Sequence, residues 1–214
     1  MSFETGFVNV SLSILNKSLE IVKQPIKNID MLWILLPLLA TLFIIEFYFG
    51  SHKGEELGWN SAVGNSIILF FVGMNLFSFL WRNGLLVGIS QNIVNLEIAS
   101  FKTFIAIFVT IEAIFLIIVD FFHLLPKNFG YGMSSPLILN FIGVVSIIFV
   151  YSNIELTWHI LPATLILFIC LFIFIKIIRL LLPKIKEGSK FSFGDVSVGE
   201  EELKKGKGEG IFSR

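Results

Sequence analysis

Residues 101–125 read FKTFIAIFVTIEAIFLIIVDFFHLL, and they decide which kind of protein this chain is. Only Lys102, Glu112 and Asp120 carry a charge in this stretch, and the remaining positions are mostly Ile, Phe, Leu and Val. About 20 consecutive apolar residues in a helix match the ~30 Å hydrocarbon layer of a membrane. The stretch therefore predicts a transmembrane helix.

The whole chain has the same character. Of its 214 residues, 55% are hydrophobic and 15% are charged, whereas soluble domains carry about 25% charged residues. Sixteen Lys and Arg balance 16 Asp and Glu, so there is no electrostatic basis for binding nucleic acid. The single cysteine, Cys170, excludes an intramolecular disulfide and a CxxC metal site. The composition places the protein in a lipid bilayer.

We predict an all-α, polytopic membrane protein with about five transmembrane helices. The fourth of them is short, and its Asn140 and Tyr151 are 11 residues apart, so they fall on nearly one helix face. This spacing is typical of a helix that is buried inside a bundle. The predicted spans are residues 31–48, 61–81, 101–125, 137–152 and 158–182, within a bundle over 31–183.

Three segments outside these spans need another interpretation. Residues 1–30 place Phe3, Phe7, Val10, Ile14 and Ile21 at helical intervals, which predicts an amphipathic helix lying in the membrane interface. Residues 84–100 repeat this pattern and predict a second interfacial or re-entrant helix. Residues 184–214 form a polar tail, in which Gly194-Asp195 between alternating apolar and polar residues indicates a possible β-hairpin.

The number of spans decides the topology. Basic residues such as Lys176, Arg179 and Lys184 flank the fifth span, and the positive-inside rule places that end in the cytoplasm of a cell-membrane protein. Five spans then leave the N-terminus and several lysines outside. A sixth span at residues 84–100 would remove most of that conflict, but its Gln, Asn and Glu residues are costly in lipid. Hydropathy favours five spans, and the charge rule favours six.

Polar and ionisable residues inside spans are costly, and they mark sites that need an explanation. Glu112 and His123 are 11 residues apart, within ~20° of one another around a helix, and Asp120 lies close to that face. We therefore predict a polar stripe on the third span, which serves either as interhelical glue or as a solute path. The intramembrane candidates are Glu46, Asn65, Asn75, Glu112, Asp120, His123 and Asn140.

A second hypothesis concerns the link between the first two spans. With five spans, this link and the end of the third span face the same side, which would bring two imidazoles and three carboxylates together. Such groups bind divalent metals, and a glutamate can serve as base for metal-bound water. No compact motif such as HExxH supports the site, so a hydrated loop is the favoured interpretation and no cofactor is favoured. The residues concerned are His52, Glu55, Glu56, Asp120 and His123.

Small residues within the spans indicate assembly. Ala62 and Ser66 are four residues apart in the second span, and Gly143 and Ser146 lie in the fourth. Small side chains let helices approach closely in lipid, which predicts a homo- or hetero-oligomer. We therefore expect a non-enzymatic accessory or scaffold subunit of a membrane assembly. The alternatives are a small ion or solute transporter that uses the polar stripe and a metal-dependent membrane enzyme.

Overall fold

The fold consists of α-helices throughout the part of the chain that the computed structural model describes. This part covers residues 3–52, 58–88, 96–155 and 157–183, and it contains helices but no strand. The predicted tail hairpin lies outside these residues. The helices are α1 (Phe3–Lys27), α2 (Ile29–Ser51), α3 (Trp59–Arg82), α4 (Leu96–Phe121), α5 (Lys127–Met133), α6 (Pro136–Tyr151) and α7 (Ile160–Leu181).

Five segments are long and apolar enough to cross a membrane, which confirms the predicted class and the number of spans. They are α2, α3, α4, the α5–α6 segment Lys127–Tyr151, and α7. The contacts that pair Glu46 with Arg179 and Asn28 with Tyr151 show that α2 and α7 run in one direction and α6 in the other. We term the end where α2 and α7 begin the amino end, and the opposite end the carboxyl end.

Helices α3 and α4 form a hairpin whose turn includes residues 84–88, so the helix predicted over 84–100 is wrong for these five residues. Gly84 has a φ of 64°, and the Leu85 N–H donates to the Leu80 carbonyl at 2.9 Å. This is the Schellman arrangement, in which a left-handed glycine ends a helix. The following residues form turns, and the Val87 N–H donates to the Thr103 hydroxyl of α4 at 3.3 Å.

The alternative of a sixth span is also wrong. Residues 96–100 are the first turns of α4, so only residues 89–95, which lie outside the described part, separate the turns from that helix. Seven residues extend about 10 Å as a helix, far short of the ~30 Å hydrocarbon layer. Since the Val87 N–H donates to the Thr103 hydroxyl, α4 begins at the end of the hairpin at which α3 ends.

Helix α4 begins and ends earlier than the predicted span at 101–125. It ends at Phe121 because His123 adopts the left-handed conformation, with a φ of 53°. The Leu124 N–H then donates to the Val119 carbonyl at 3.0 Å, which completes a second Schellman turn. Glycine usually occupies this position. Here the residue is a histidine, so no glycine in the sequence marked the end of α4.

Helix α6 lies at the centre of the bundle, which confirms the prediction that the fourth span is buried. Within its candidate span 56% of the residues are buried, compared with 17–39% in the other four. It packs against α2, α3 and α4, and Gly143 lets α2 come close, since a Cβ there would lie 3.1 Å from Leu38 Cδ2. The apolar core is built around this helix.

The N-terminal amphipathic helix is present as α1, although its faces differ from the prediction. Ile14, Ser18 and Ile21 turn toward the bundle, and the Ser18 hydroxyl lies 3.4 Å from the Ala163 carbonyl of α7. Val10, which was predicted to share that face, is exposed. The position of α1 in the membrane interface stays a prediction.

The closest approach of α3 and α4 gives a test of the packing. A Cβ at Gly73 would collide with the Thr110 hydroxyl and lie 3.2 Å from Thr110 Cα, which no side-chain rotation can relieve. We expect Gly73→Ala to destabilise the protein by about 1–3 kcal/mol, the usual cost of overpacking a core. Thermal unfolding in mild detergent measures this change.

Gly64→Ala is the matched control on the same helix. A Cβ at Gly64 meets nothing within 4 Å. Alanine in a helix interior is favoured over glycine by about 0.5–1 kcal/mol, so this variant should be neutral or slightly more stable. Equal melting temperatures for the two variants would contradict the close packing at Gly73.

Candidate functional site

A buried carboxylate organises the carboxyl end of the bundle. Asp120, near the end of α4, is 0% exposed, and its Oδ2 accepts hydrogen bonds from the hydroxyls of Ser66 and Ser134 at 3.0 and 2.6 Å. Asn65 Nδ2 donates to the Ser134 carbonyl at 2.9 Å. Helices α3 and α4 and the link between α5 and α6 therefore meet at one carboxylate. Asp120 Oδ1 has no hydrogen-bond partner among the described residues.

Aromatic rings cover this carboxylate cluster. The Trp59 ring at the start of α3 stacks on His123 with a centroid distance of 4.3 Å and meets Tyr131 edge-on at 4.8 Å. Gly130 sits beneath it, since a Cβ there would be 3.1 Å from the Trp59 ring and 3.9 Å from Asp120 Oδ1. Gly130 therefore lies close to both the Trp59 ring and Asp120.

An ion pair joins α2 and α7 at the same end of the bundle. Arg179 Nη2 lies 2.5 Å from Glu46 Oε2, and the Glu46 side chain is only 3% exposed. The pair lines a cavity of about 610 Å³. Lys176, Tyr131 and apolar side chains form the rest of its walls. Glu46 is buried whereas the Arg179 side chain is 38% exposed, so loss of Arg179 would leave an uncompensated buried carboxylate.

The remaining candidates lie farther along the spans and do not form one path. Asn75 Oδ1 accepts a hydrogen bond from the Tyr151 hydroxyl at 2.8 Å, which joins α3 to α6. Asn140 donates to the Pro136 carbonyl within α6 at 2.8 Å. Glu112 is half-buried in α4, and its Oε2 has no hydrogen-bond partner within the described part of the chain.

The structure corrects the predicted polar stripe on the third span. Glu112 and Asp120 belong to α4, but His123 lies beyond the helix end, where the left-handed turn removes it from the helical face. Its ring packs on Trp59 instead. The predicted alignment of Glu112 and His123 assumed a helix that continued to residue 125.

The metal hypothesis stays a prediction. Among the described residues no three His, Cys, Asp or Glu side chains come together as a metal-binding group. His52 stacks on Tyr48 at 4.4 Å at the end of α2, while Asp120 Oδ2 is occupied by two hydroxyls. Glu55 and Glu56 lie outside the described residues.

Several residues at these sites were not among the predicted candidates. Ser66 was considered only for its small size and Arg179 only for its charge, while Ser134 was not considered as a site residue. Their partners are apparent only in three dimensions, because the contacts of Ser66 and Ser134 with Asp120 join residues 54 and 14 positions apart. For Ser66 one signal was present in the sequence: it is a polar residue about one helical turn inside the predicted second span.

The fold and these clusters define a multi-pass helical membrane protein with interhelical polar contacts inside its spans. Compared with protein-family models, with curated proteins and with solved structures, the chain matches none of them. Its function is therefore inferred from its own residues.

The Asp120 cluster predicts a graded response to substitution. Asp120→Ala removes the acceptor of the buried Ser134 hydroxyl, and a buried polar group left unpaired costs about 1–3 kcal/mol. The Ser66 hydroxyl can still donate to the Ala62 carbonyl, which lies 3.1 Å away. Asp120→Asn keeps one acceptor oxygen and should lose less. We expect melting temperatures in mild detergent to fall in the order wild type, Asp120→Asn, Asp120→Ala. An Asp120→Ala variant as stable as wild type would refute the cluster as a stabilising contact.

Proposed function

We propose that this protein is a non-enzymatic accessory or scaffold subunit of a membrane assembly. The observation that carries the proposal is that polar side chains inside the spans bind one another between helices. Asp120 binds Ser66 and Ser134, and Glu46 binds Arg179. Polar groups used in this way fix the arrangement of helices.

In a transport path or a catalytic centre, intramembrane polar residues have a different role. Its polar groups face a water-filled cavity or a substrate. Here Asp120 is fully enclosed, and the side chain of Asn75 is engaged by Tyr151. These contacts support a structural use of the intramembrane polar residues.

The exposed side of α1 supports a docking role. Six apolar residues recur at alternating steps of four and three, the heptad spacing that packs one helix against another. Their exposed fractions run from 51% to 76%, and a polar stripe that includes Asn16 and Lys23 lies beside them. We term these six residues the α1 seam: Val8, Leu12, Leu15, Leu19, Val22 and Ile26.

The orientation follows from charge. Lys176 and Arg179 lie near the end of α7, and the sequence continues with Lys184, Lys186 and Lys190. Basic residues close to a span favour the cytoplasmic side. We therefore propose that the carboxyl end faces the cytoplasm of the cell membrane and that the amino end, with α1, faces outward.

Mass measurement tests the assembly. We expect the protein, isolated from its own membranes in mild detergent or nanodiscs, to form a stoichiometric species larger than its 24.2 kDa monomer. The variant Leu12→Ser/Leu15→Ser/Leu19→Ser should shift this species to the monomer, because it removes the centre of the seam. Its helical content by circular dichroism should be retained.

The matched control changes the polar stripe beside the seam. Ser13→Ala/Asn16→Ala alters two exposed residues of the same helix and should leave the assembly intact. A wild-type protein that is monomeric both in detergent and in nanodiscs would count against the accessory role.

Proton or ion transport is a second candidate, favoured by two buried oxygens of α4 without partners. Glu112 Oε2 and Asp120 Oδ1 both lack hydrogen bonds within the described residues. They belong to residues about 12 Å apart along the helix axis. Carboxylates buried in membranes serve as proton relays in pumps and transporters.

Flux measurements separate this candidate from the scaffold. If α4 conducts protons, a pH gradient across proteoliposomes should collapse with the wild type and persist with Glu112→Gln. Glu97→Gln, at the exposed start of α4, is the control that should keep the flux. Wild-type vesicles no leakier than empty ones would remove transport from consideration.

A further inference from the structure

Two cavities join along α7 at the carboxyl end of the bundle. The larger, of about 610 Å³, holds the charged residues, and the smaller, of about 250 Å³, is lined almost wholly by apolar side chains. They share Ser135, Leu137 and Phe172, so they form one surface between α6 and α7. We term it the α6–α7 groove, with a charged part at Glu46, Lys176 and Arg179 and an apolar part at Leu137, Ile138, Phe168, Ile169 and Phe172.

The charged part carries one net positive charge. Glu46 neutralises Arg179, and Lys176 remains as an exposed ammonium 5.3 Å from the centroid of the Phe172 ring. Arg179 Nε is buried and has no hydrogen-bond partner among the described residues. Guanidinium and ammonium donors at a membrane boundary match the oxygens of a phosphate group.

The charged and apolar parts together have about the length of one membrane leaflet. Phe168 and Arg179 are 11 residues apart, which is about 16 Å along α7. Half of the hydrocarbon layer is about 15 Å thick. A phosphate at the charged part therefore leaves the apolar part at the depth of the acyl chains in the same leaflet.

We propose that the α6–α7 groove binds one anionic phospholipid. Its phosphate lies between Lys176 and Arg179, and an acyl chain follows Leu137, Ile169 and Phe172 toward the middle of the membrane. The basic part selects a lipid with net negative charge over a zwitterionic one, as basic pockets between transmembrane helices do for anionic headgroups. The apolar part distinguishes a lipid from free phosphate, which gains nothing from it.

This site is independent of the accessory role. It lies at the carboxyl end between α6 and α7, whereas the α1 seam turns away from the bundle on another helix. A monomeric protein can bind the lipid, and an assembled one can lack it.

Native mass spectrometry of the full-length protein tests the proposal. The protein is released from nanodiscs that contain equal amounts of phosphatidylglycerol and phosphatidylcholine, and bound lipids are counted by mass. We expect one phosphatidylglycerol to be retained in preference to phosphatidylcholine. Equal retention of both lipids would overturn the proposal.

Variants locate the site in the groove. Lys176→Gln should weaken phosphatidylglycerol retention about fivefold, the effect of removing one basic residue near a membrane surface. Ile169→Trp should fill the apolar part and weaken retention as well. Lys23→Gln, which removes an exposed lysine of α1, should leave it unchanged. Retention unaffected by both groove variants would overturn the assignment.

Two further experiments test whether the loss of lipid is due to misfolding and whether the bound phosphate belongs to a lipid. Glu46→Gln/Arg179→Gln removes the ion pair without leaving a lone charge, and it should keep the fold but retain less phosphatidylglycerol. Millimolar inorganic phosphate should not displace the lipid. Displacement by inorganic phosphate together with an ineffective Ile169→Trp would identify a phosphate site in place of a lipid site.

Discussion

Asp120 is the point on which the carboxyl end of the bundle depends. A carboxylate withdrawn from water costs free energy unless hydrogen bonds compensate for it. Here the compensation comes from Ser66 of α3 and Ser134 of the link between α5 and α6. Two separate parts of the chain therefore converge on α4, next to the turn at His123 and the ring of Trp59 that stacks on it.

The same constraint acts elsewhere in the bundle, because a lipid environment offers no other partner to a polar group. Glu46 and Arg179 hold α2 to α7 at the carboxyl end. Lys102 reaches Asn153 at 3.1 Å at the amino end, which joins α4 to the link before α7. Between these contacts the packing is mainly apolar, apart from the hydrogen bond of Tyr151 with Asn75. Polar contacts thus fix which helices are neighbours, and close apolar packing fixes how near they come.

Hydropathy was sufficient to predict all five spans, since each is a long and predominantly apolar run. The helix ends were less predictable, because His123 adopts a conformation usual for glycine and Gly84 ends α3 where a new helix was expected. The candidate Asp120 was identified, but Ser134 was not, because a serine in a turn carries no sign of a distant partner. The residue types show which buried polar groups need a hydrogen-bond partner. Only the fold shows which residues provide that partner.

Helix α7 is less buried in the bundle than the other spans. This bears on both the accessory role and the lipid site. Its candidate span is only 17% buried, the lowest value of the five. It meets α1 at Ala163 and α2 at Arg179, while Cys170 and Phe174 between them are exposed. In its middle, Phe168, Leu171 and Ile175 pack with Leu42 of α2 and Leu137 of α6, so one face of α7 is held by the bundle and the other faces its surroundings. Lipid in the α6–α7 groove supplies apolar contacts along the length of α7 that the bundle itself leaves open.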